Sequence, residues 1–298
     1  MDQQTSSQSV KSLTQEKRSS TMVINSIHQL KQLLQDLDGL PVKPPSIYLD
    51  ASGVGQEELI DLQLLVLPTN TLYVVNMRSL GTTALSSVGD KGTSLRSMLE
   101  SKAIIKVGFD IRGMSRLLFR QLNVSLDGMY DLQLMELASR DNGQSKKFLA
   151  GLAKCIDQDI PSTNNTKRRW LQPDDSTNMH LFNSLGHVPR QSMNRVELFP
   201  ALWKVYRRKL GVPHQAFWLR SARTQSWKRV QDSKKDPGSK NRQHIGPDFW
   251  WDNEQRQAAL DDWLDEIVME SRVGDWELND DAEWVPTRKE TDWDLNSF

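Results

Sequence analysis

Between Trp203 and Arg242 the chain sets many cations among three indoles, Trp203, Trp218 and Trp227. Positive charge for phosphates beside flat aromatic faces for bases is what binding to a single-stranded nucleic acid requires. The residues expected to supply it are Arg207, Arg208, Arg220, Arg223, Trp218 and Trp227. The competing expectation is a solvated basic helix whose tryptophans pack on the rest of the protein. From Asp248 onward the sign reverses, with Trp263, Trp276, Trp284 and Trp293 spaced through Asp and Glu. Such indoles suit anchors for a protein partner. They equally suit a tail that folds back on the basic stretch and blocks it. Basic and acidic residues number 38 each, so only their distribution bears on the choice of partner.

Other chemistries lack their residues. His28, His180, His187, His214 and His244 show no metal-ligand spacing, and with Cys155 as the single cysteine no zinc site is expected. Cys155 lies in an apolar helical run, which predicts a buried, inert thiol and a reducing compartment. Gly53, Gly55, Gly89 and Gly92 read as turn residues, since none forms a phosphate-cradling loop between a strand and a helix. No apolar run approaches the roughly 18 residues of a membrane span, and the polar start lacks the apolar core of a secretory signal. A soluble intracellular protein is expected, in nucleus or cytoplasm.

The elements that position these residues follow from periodicity. Residues 1–21 are too polar to offset the entropy of ordering and predict a disordered arm. Val23, Ile27, Leu30, Leu33, Leu34 and Leu37 recur at helical spacing up to Gly39 and Pro41. Three short apolar runs, 46–50, 61–67 and 71–77, predict consecutive strands. A helix over 93–101, a fourth strand over 103–109 and a helix over 110–122 come next. Helices are then expected over 131–139, 146–156 and 194–210, and an amphipathic helix around Ala259–Val268. The organisation read is an α/β domain over 22–210, a basic Trp-containing extension over 211–247 and an acidic Trp-rich tail over 248–298, the domain having a mixed sheet flanked by helices.

Five segments carry a resemblance. They are Pro45-Ser-Ile-Tyr-Leu-Asp50, Lys106-Val-Gly-Phe-Asp-Ile-Arg112, the stretch from Ser125 to Arg140, Phe148-Leu-Ala-Gly-Leu-Ala-Lys-Cys-Ile156 and Pro200-Ala-Leu-Trp203. In that order and spacing, the chain from about Leu40 to Leu210 resembles the 3'-5' exonuclease domain of the DEDD superfamily, in its ribonuclease D-like group. The likeness is greatest to fungal proteins that carry this domain. It implies a ribonuclease H-like fold, nucleic-acid substrates and four carboxylates that hold two divalent metals for phosphodiester hydrolysis. Mg²⁺ and Mn²⁺ require hard oxygen ligands in a tight octahedron, so the motifs can be checked by residue type.

The check goes against hydrolysis. The Asp-x-Glu motif reads Asp50-Ala51-Ser52, so the Asp is kept and the Glu is Ser. Met114 stands where the second motif places its Asp. Aligning on Phe199-Pro200 puts Gln191 and Arg195 at the Tyr and Asp of the third motif, in a stretch that is shorter from Phe182 than in relatives. A cation there repels each unit of metal charge by about 4 kcal/mol at 4 Å and an effective dielectric near 20. The expectation is a pseudo-exonuclease that binds nucleic acid or scaffolds its processing, without a cofactor. The alternatives are an active exonuclease using Mg²⁺ or Mn²⁺, and a protein-interaction adaptor without nucleic-acid contact. A rebuilt single-metal site could draw on Asp50, Asp110, Asp131 and Glu197. Against it, Asp110 and Asp131 suit helix N-caps and Glu197 suits solvent.

Overall fold

In a computed structural model the chain is described over residues 19–141, 143–171, 195–235, 243–273, 276–279 and 281–286. Six strands form one sheet: β1 (Ser20–Ile24), β2 (Ile47–Ala51), β3 (Asp61–Val66), β4 (Thr71–Asn76), β5 (Lys106–Gly108) and β6 (Met129–Asp131), in the order β1-β4-β3-β2-β5-β6. The β2–β3 and β3–β4 pairs are antiparallel, whereas β1–β4, β2–β5 and β5–β6 are parallel. This is the mixed ribonuclease H-like sheet, with β1 added at one edge.

Alternation along the strands sorts side chains to two faces. Leu62, Leu64, Val66, Tyr73 and Val75 join one apolar cluster, which contains α1 (Ile27–Leu37), α2 (Leu95–Glu100) and α3 (Arg112–Leu122). Tyr48, Leu65, Leu72, Val74 and Val107 join the other. That second cluster holds α4 (Leu132–Ala138), α5 (Leu152–Asp159) and α6 (Phe199–Leu210). A long helix, α7 (Ala216–Lys235), packs along α3, β6 and α4 and so covers the β6 edge. Toward the C-terminus lie α8 (Asn253–Val273) and a hairpin of β7 (Trp276–Leu278) and β8 (Trp284–Pro286). Fully buried Trp250, just before α8, donates from its indole to Ser221 Oγ at 3.0 Å and so ties this region to α7.

Three buried lysines cap helix ends. Lys106 donates to Met98 O and Ser101 O at the end of α2, Lys146 to Leu137 O and Ala138 O at the end of α4, and Lys167 to Asp157 O and Ile160 O at the end of α5. Each places its charge on carbonyls that have no partner within the helix. Burial lowers Lys106 to about 7 and Lys146 to about 8.

Several expected boundaries move. The helical pattern from Val23 breaks at Ser26, whose side chain accepts the Gln29 N–H as N-cap, and Ser20–Ile24 pairs with the open edge of β4. That strand begins inside the segment expected as a disordered arm, while residues 1–18 lie outside the described ones. The helix expected over 146–156 runs instead over Leu152–Asp159, because Lys146 turns inward as a cap and Phe148 bridges to Ile245. The sixth strand, Met129–Asp131, was not foreseen. It is three residues long, too short for an alternating pattern to register.

Candidate functional site

Asp50, Asp110 and Asp131 lie at or just beyond the C-terminal ends of β2, β5 and β6, three neighbouring parallel strands. Open α/β sheets place their ligand sites at that end. After Asp50 the chain must reverse sharply to enter β3. Gly53 permits this, with φ +85° and no room for a Cβ, which would fall 1.9 Å from Glu58 O.

Each of the three aspartates meets an arginine. Asp50, 5 % exposed, has both carboxylate oxygens on the Arg195 guanidinium, one of them at 2.6 Å. Arg195 opens a short 3₁₀ turn, Arg195–Leu198, held by the buried side chains of Val196 and Leu198. Asp110 takes a left-handed backbone, φ 48°, and receives Arg112 at 2.5 and 2.9 Å. Asp131 is fully buried and accepts the backbone N–H groups of Asp110, Ile111 and Gln133. Its second oxygen also receives Arg229 Nη1 from α7 at 2.6 Å.

A fourth carboxylate lies beneath. Asp61, at the start of β3, accepts the Ser52 hydroxyl at 2.5 Å and the Gln63 amide at 3.2 Å. Burial raises its carboxyl above the usual range, against the donation from Ser52 and Gln63. Burial also raises Asp50, and Arg195 acts in the opposite direction. For Asp110, burial pushes upward but Arg112, with Arg229 and Arg195, outweighs it and holds the carboxyl low. Three guanidiniums therefore stand among the carboxylates at this strand end.

The expected site residues divide accordingly. Asp50 meets Arg195, and Ser52 is drawn to Asp61, whose charge acts on Asp50. Met114 is buried in the apolar cluster on the other face of the sheet. Gln191 lies outside the described residues. Glu197 accepts from Ser19 and lines a cavity of about 470 Å³ with Arg169 and Lys204. Asp110 does not cap the next helix: Ile111 takes the N-cap position without a side-chain bond, because Asp110 is engaged by Arg112. Asp131 is the N-cap of α4, accepting the Gln133 N–H. Among the described residues no three of His, Cys, Asp or Glu are placed to hold a metal ion. The donor set present does not fit a pair of divalent cations, since its carboxylate oxygens face guanidiniums and N–H groups.

Sequence reading missed Asp61, Arg112 and Arg229 as members of this cluster. Asp61 had a signal, an acid heading an apolar run in phase with Gln63 and Leu65. Arg112 stood at the end of a motif segment, Lys106–Arg112. Arg229 had none, because its role depends on how α7 crosses the sheet edge.

The basic stretch is mostly docked. Trp218 is buried edge-to-face against Trp250 with Lys146 over its ring at 4.5 Å, so its faces are committed to packing. Trp227 is 53 % exposed, and Lys204, Arg208 and Lys228 are exposed as well. Arg207, Arg220 and Arg223 pair with Asp281, Glu266 and Glu283. Trp263 is buried, and the Trp284 indole donates to Glu266 at 2.8 Å. Trp293 lies outside the described residues.

No protein-family profile and no curated protein matches the sequence. Among solved structures the chain is similar to Trypanosoma brucei RNase D in complex with RNA U12. That match has a TM-score of 0.55 and 14 % identity, and covers 78 % of this chain and 78 % of that one. It is also similar to the T. brucei RNase D–GMP complex, at TM-score 0.51 and 17 % identity over 71 % and 63 % of the two chains. At such identities what is shared is the fold.

Proposed function

We propose that this chain is a catalytically impaired relative of the ribonuclease D-like 3'-5' exonucleases, which binds single-stranded nucleic acid or scaffolds its processing. The fold supports the exonuclease ancestry, and RNA is bound in one of the RNase D structures that share it. The observation that carries the impairment is the pairing of Asp50 with Arg195. A two-metal mechanism would need that carboxylate free to help hold the cations, which would activate water and stabilise the leaving oxygen. Here a guanidinium fills the place, and a fixed cation repels an incoming Mg²⁺ or Mn²⁺.

The strand-end cluster retains the architecture of a site without its ligands. Ser52 offers a hydroxyl already donated to Asp61, and Met114, a thioether that suits hard cations poorly, is turned into the apolar cluster on the other face of the sheet. Nucleic-acid contact then falls to the exposed cations and ring of α6 and α7, namely Lys204, Arg208, Lys228 and Trp227. The arginines beside them, Arg207, Arg220 and Arg223, would extend the strip when released from their carboxylates.

Purified protein incubated with 3'-labelled single-stranded RNA or DNA and Mn²⁺ is expected to leave the substrate intact, and calorimetry to give no heat of Mn²⁺ binding. EDTA-sensitive shortening from the 3' end, abolished by Asp50→Ala, would overturn the impairment. Affinity for single-stranded RNA is expected to fall steeply with salt and to drop further in Arg208→Glu/Lys228→Glu.

A further inference from the structure

Four cations from three parts of the chain converge under the C-terminal hairpin. Arg207 on α6 reaches Asp281 Oδ1 at 3.0 Å, and Lys43 takes the other oxygen of the same carboxylate. Arg223 on α7 pairs with Glu283, and Arg220, one helical turn earlier, with Glu266 at 2.6 Å. The hairpin turn is shaped for this. Asn279 Oδ1 accepts the N–H groups of both Asp281 and Glu283, at 2.9 and 3.0 Å. Those two bonds hold the acids side by side over the helices. Trp284 secures the assembly by donating to the Glu266 oxygen that also faces Arg220.

The Arg220 and Arg223 pairs are not deep, although Asp281 itself is only 14 % exposed at its side chain. The side chains of Arg220 and Glu266 are each 35 % exposed, and Arg223 and Glu283 are 26 % and 33 % exposed. Pairs with this much solvent contact are individually weak and exchange readily for another anion. A row of carboxylates presented to a row of arginines also has the charge pattern of a phosphate backbone. From this geometry we infer that Lys43, Arg207, Arg220 and Arg223 form a polyanion-binding strip. The chain's own acids, Asp281, Glu283 and Glu266, occupy it until a single-stranded nucleic acid displaces them. This rests on the nucleic-acid reading above and deepens it, by naming the residues engaged and what they must first release.

The direct test is the full-chain variant Glu266→Gln/Asp281→Asn/Glu283→Gln, compared with wild type for binding of fluorescent oligo(U). A second variant, Glu254→Gln/Asp261→Asn/Asp262→Asn, makes the same gain in charge at exposed positions of α8 and controls for net charge. The hairpin variant is expected to bind at least about tenfold more tightly at low salt. Its logarithmic salt slope should stay close to that of wild type, since the same four cations neutralise phosphates in both complexes once the acids are displaced. The control variant should change much less. Equal gains in both variants, or none in the hairpin variant while wild type binds with normal salt dependence, would sink the strip and leave nucleic-acid binding intact. If neither protein binds oligo(U), the nucleic-acid reading itself fails. Should the hairpin variant not fold, hydrogen exchange on wild type decides. Saturating oligo(U) is expected to reduce protection across residues 276–286, and unchanged protection would refute displacement.

Discussion

Removing either member of the Asp50–Arg195 pair separates its two halves. Asp50 is 7 % exposed at its side chain and Arg195 is 35 % exposed, so the arginine can be rehydrated and the aspartate cannot. Breaking a fully buried pair costs about 3–5 kcal/mol. Arg195→Ala is expected at a lower figure of about 2–3 kcal/mol, because solvent already screens part of the interaction. Asp50→Asn, which keeps the shape and strands only the accessible cation, should cost less. Urea denaturation of both variants checks the order, and an Asp50→Asn loss exceeding that of Arg195→Ala would contradict it. Cys155 offers a second residue-scale check. Burial pushes its thiol up to about 12, so almost no thiolate exists at pH 8 and iodoacetamide should label it only as fast as the protein opens. At this scale the sequence was legible where chemistry depends on residue type alone. Ser52 and Met114 can be read as non-ligands without coordinates. Asp61 left a trace, an acid heading an apolar run, but its partner could not be read, and Arg229 could not be read at all, because it carries no local motif.

Helix ends here depend on lysines from other elements, and that makes their stability depend on pH. Lys106 titrates near 7 when folded because burial disfavours its charge, against an ordinary lysine value of about 10.4. Between those values the unfolded chain binds more protons than the folded one. Stability should therefore rise with pH across that window, by up to about 1.4 kcal/mol per pH unit from this group. In Lys106→Met the contribution disappears, which denaturation measured from pH 7 to 9.5 would reveal as a flatter profile. A second element-scale expectation concerns the docking of α7 to the C-terminal helices. Trp250 is fully buried and bonds Ser221, so Trp250→Ala should cost about 3–5 kcal/mol. Early proteolytic loss of the segment beyond residue 243 would accompany it. The elements themselves were mostly foreseeable from their period. The exceptions include the first strand, which exists because β4 leaves an edge to pair with, the three-residue β6, the helix over Asn165–Leu171 and the C-terminal hairpin.

Across the whole molecule, opposite charges separated in sequence are brought into register. Burial pushes the Asp281 carboxyl upward, but Lys43 and Arg207 more than offset it and hold it below the usual range. The clasp they make is thus fully present above the ordinary aspartate value of about 3.9 and is lost as pH falls through the depressed folded value. Hydrogen exchange at residues 276–286 should show this acid release in wild type, and Asp281→Asn should lack it. The sequence by itself determined the alternation that makes β2, β3 and β4 strands, the amphipathic helices around them, and the absence of acids at Ser52 and Met114. Those features are local, set by periods of two or 3.6 residues and by residue type. Only the tertiary structure decided which cation meets which carboxylate. Arg195 and Asp50 are 145 residues apart in sequence, and Arg229 and Asp131 are 98 apart. Coulombic pairing depends on the distance the chain leaves between two side chains after folding, and no periodicity in a sequence encodes that distance.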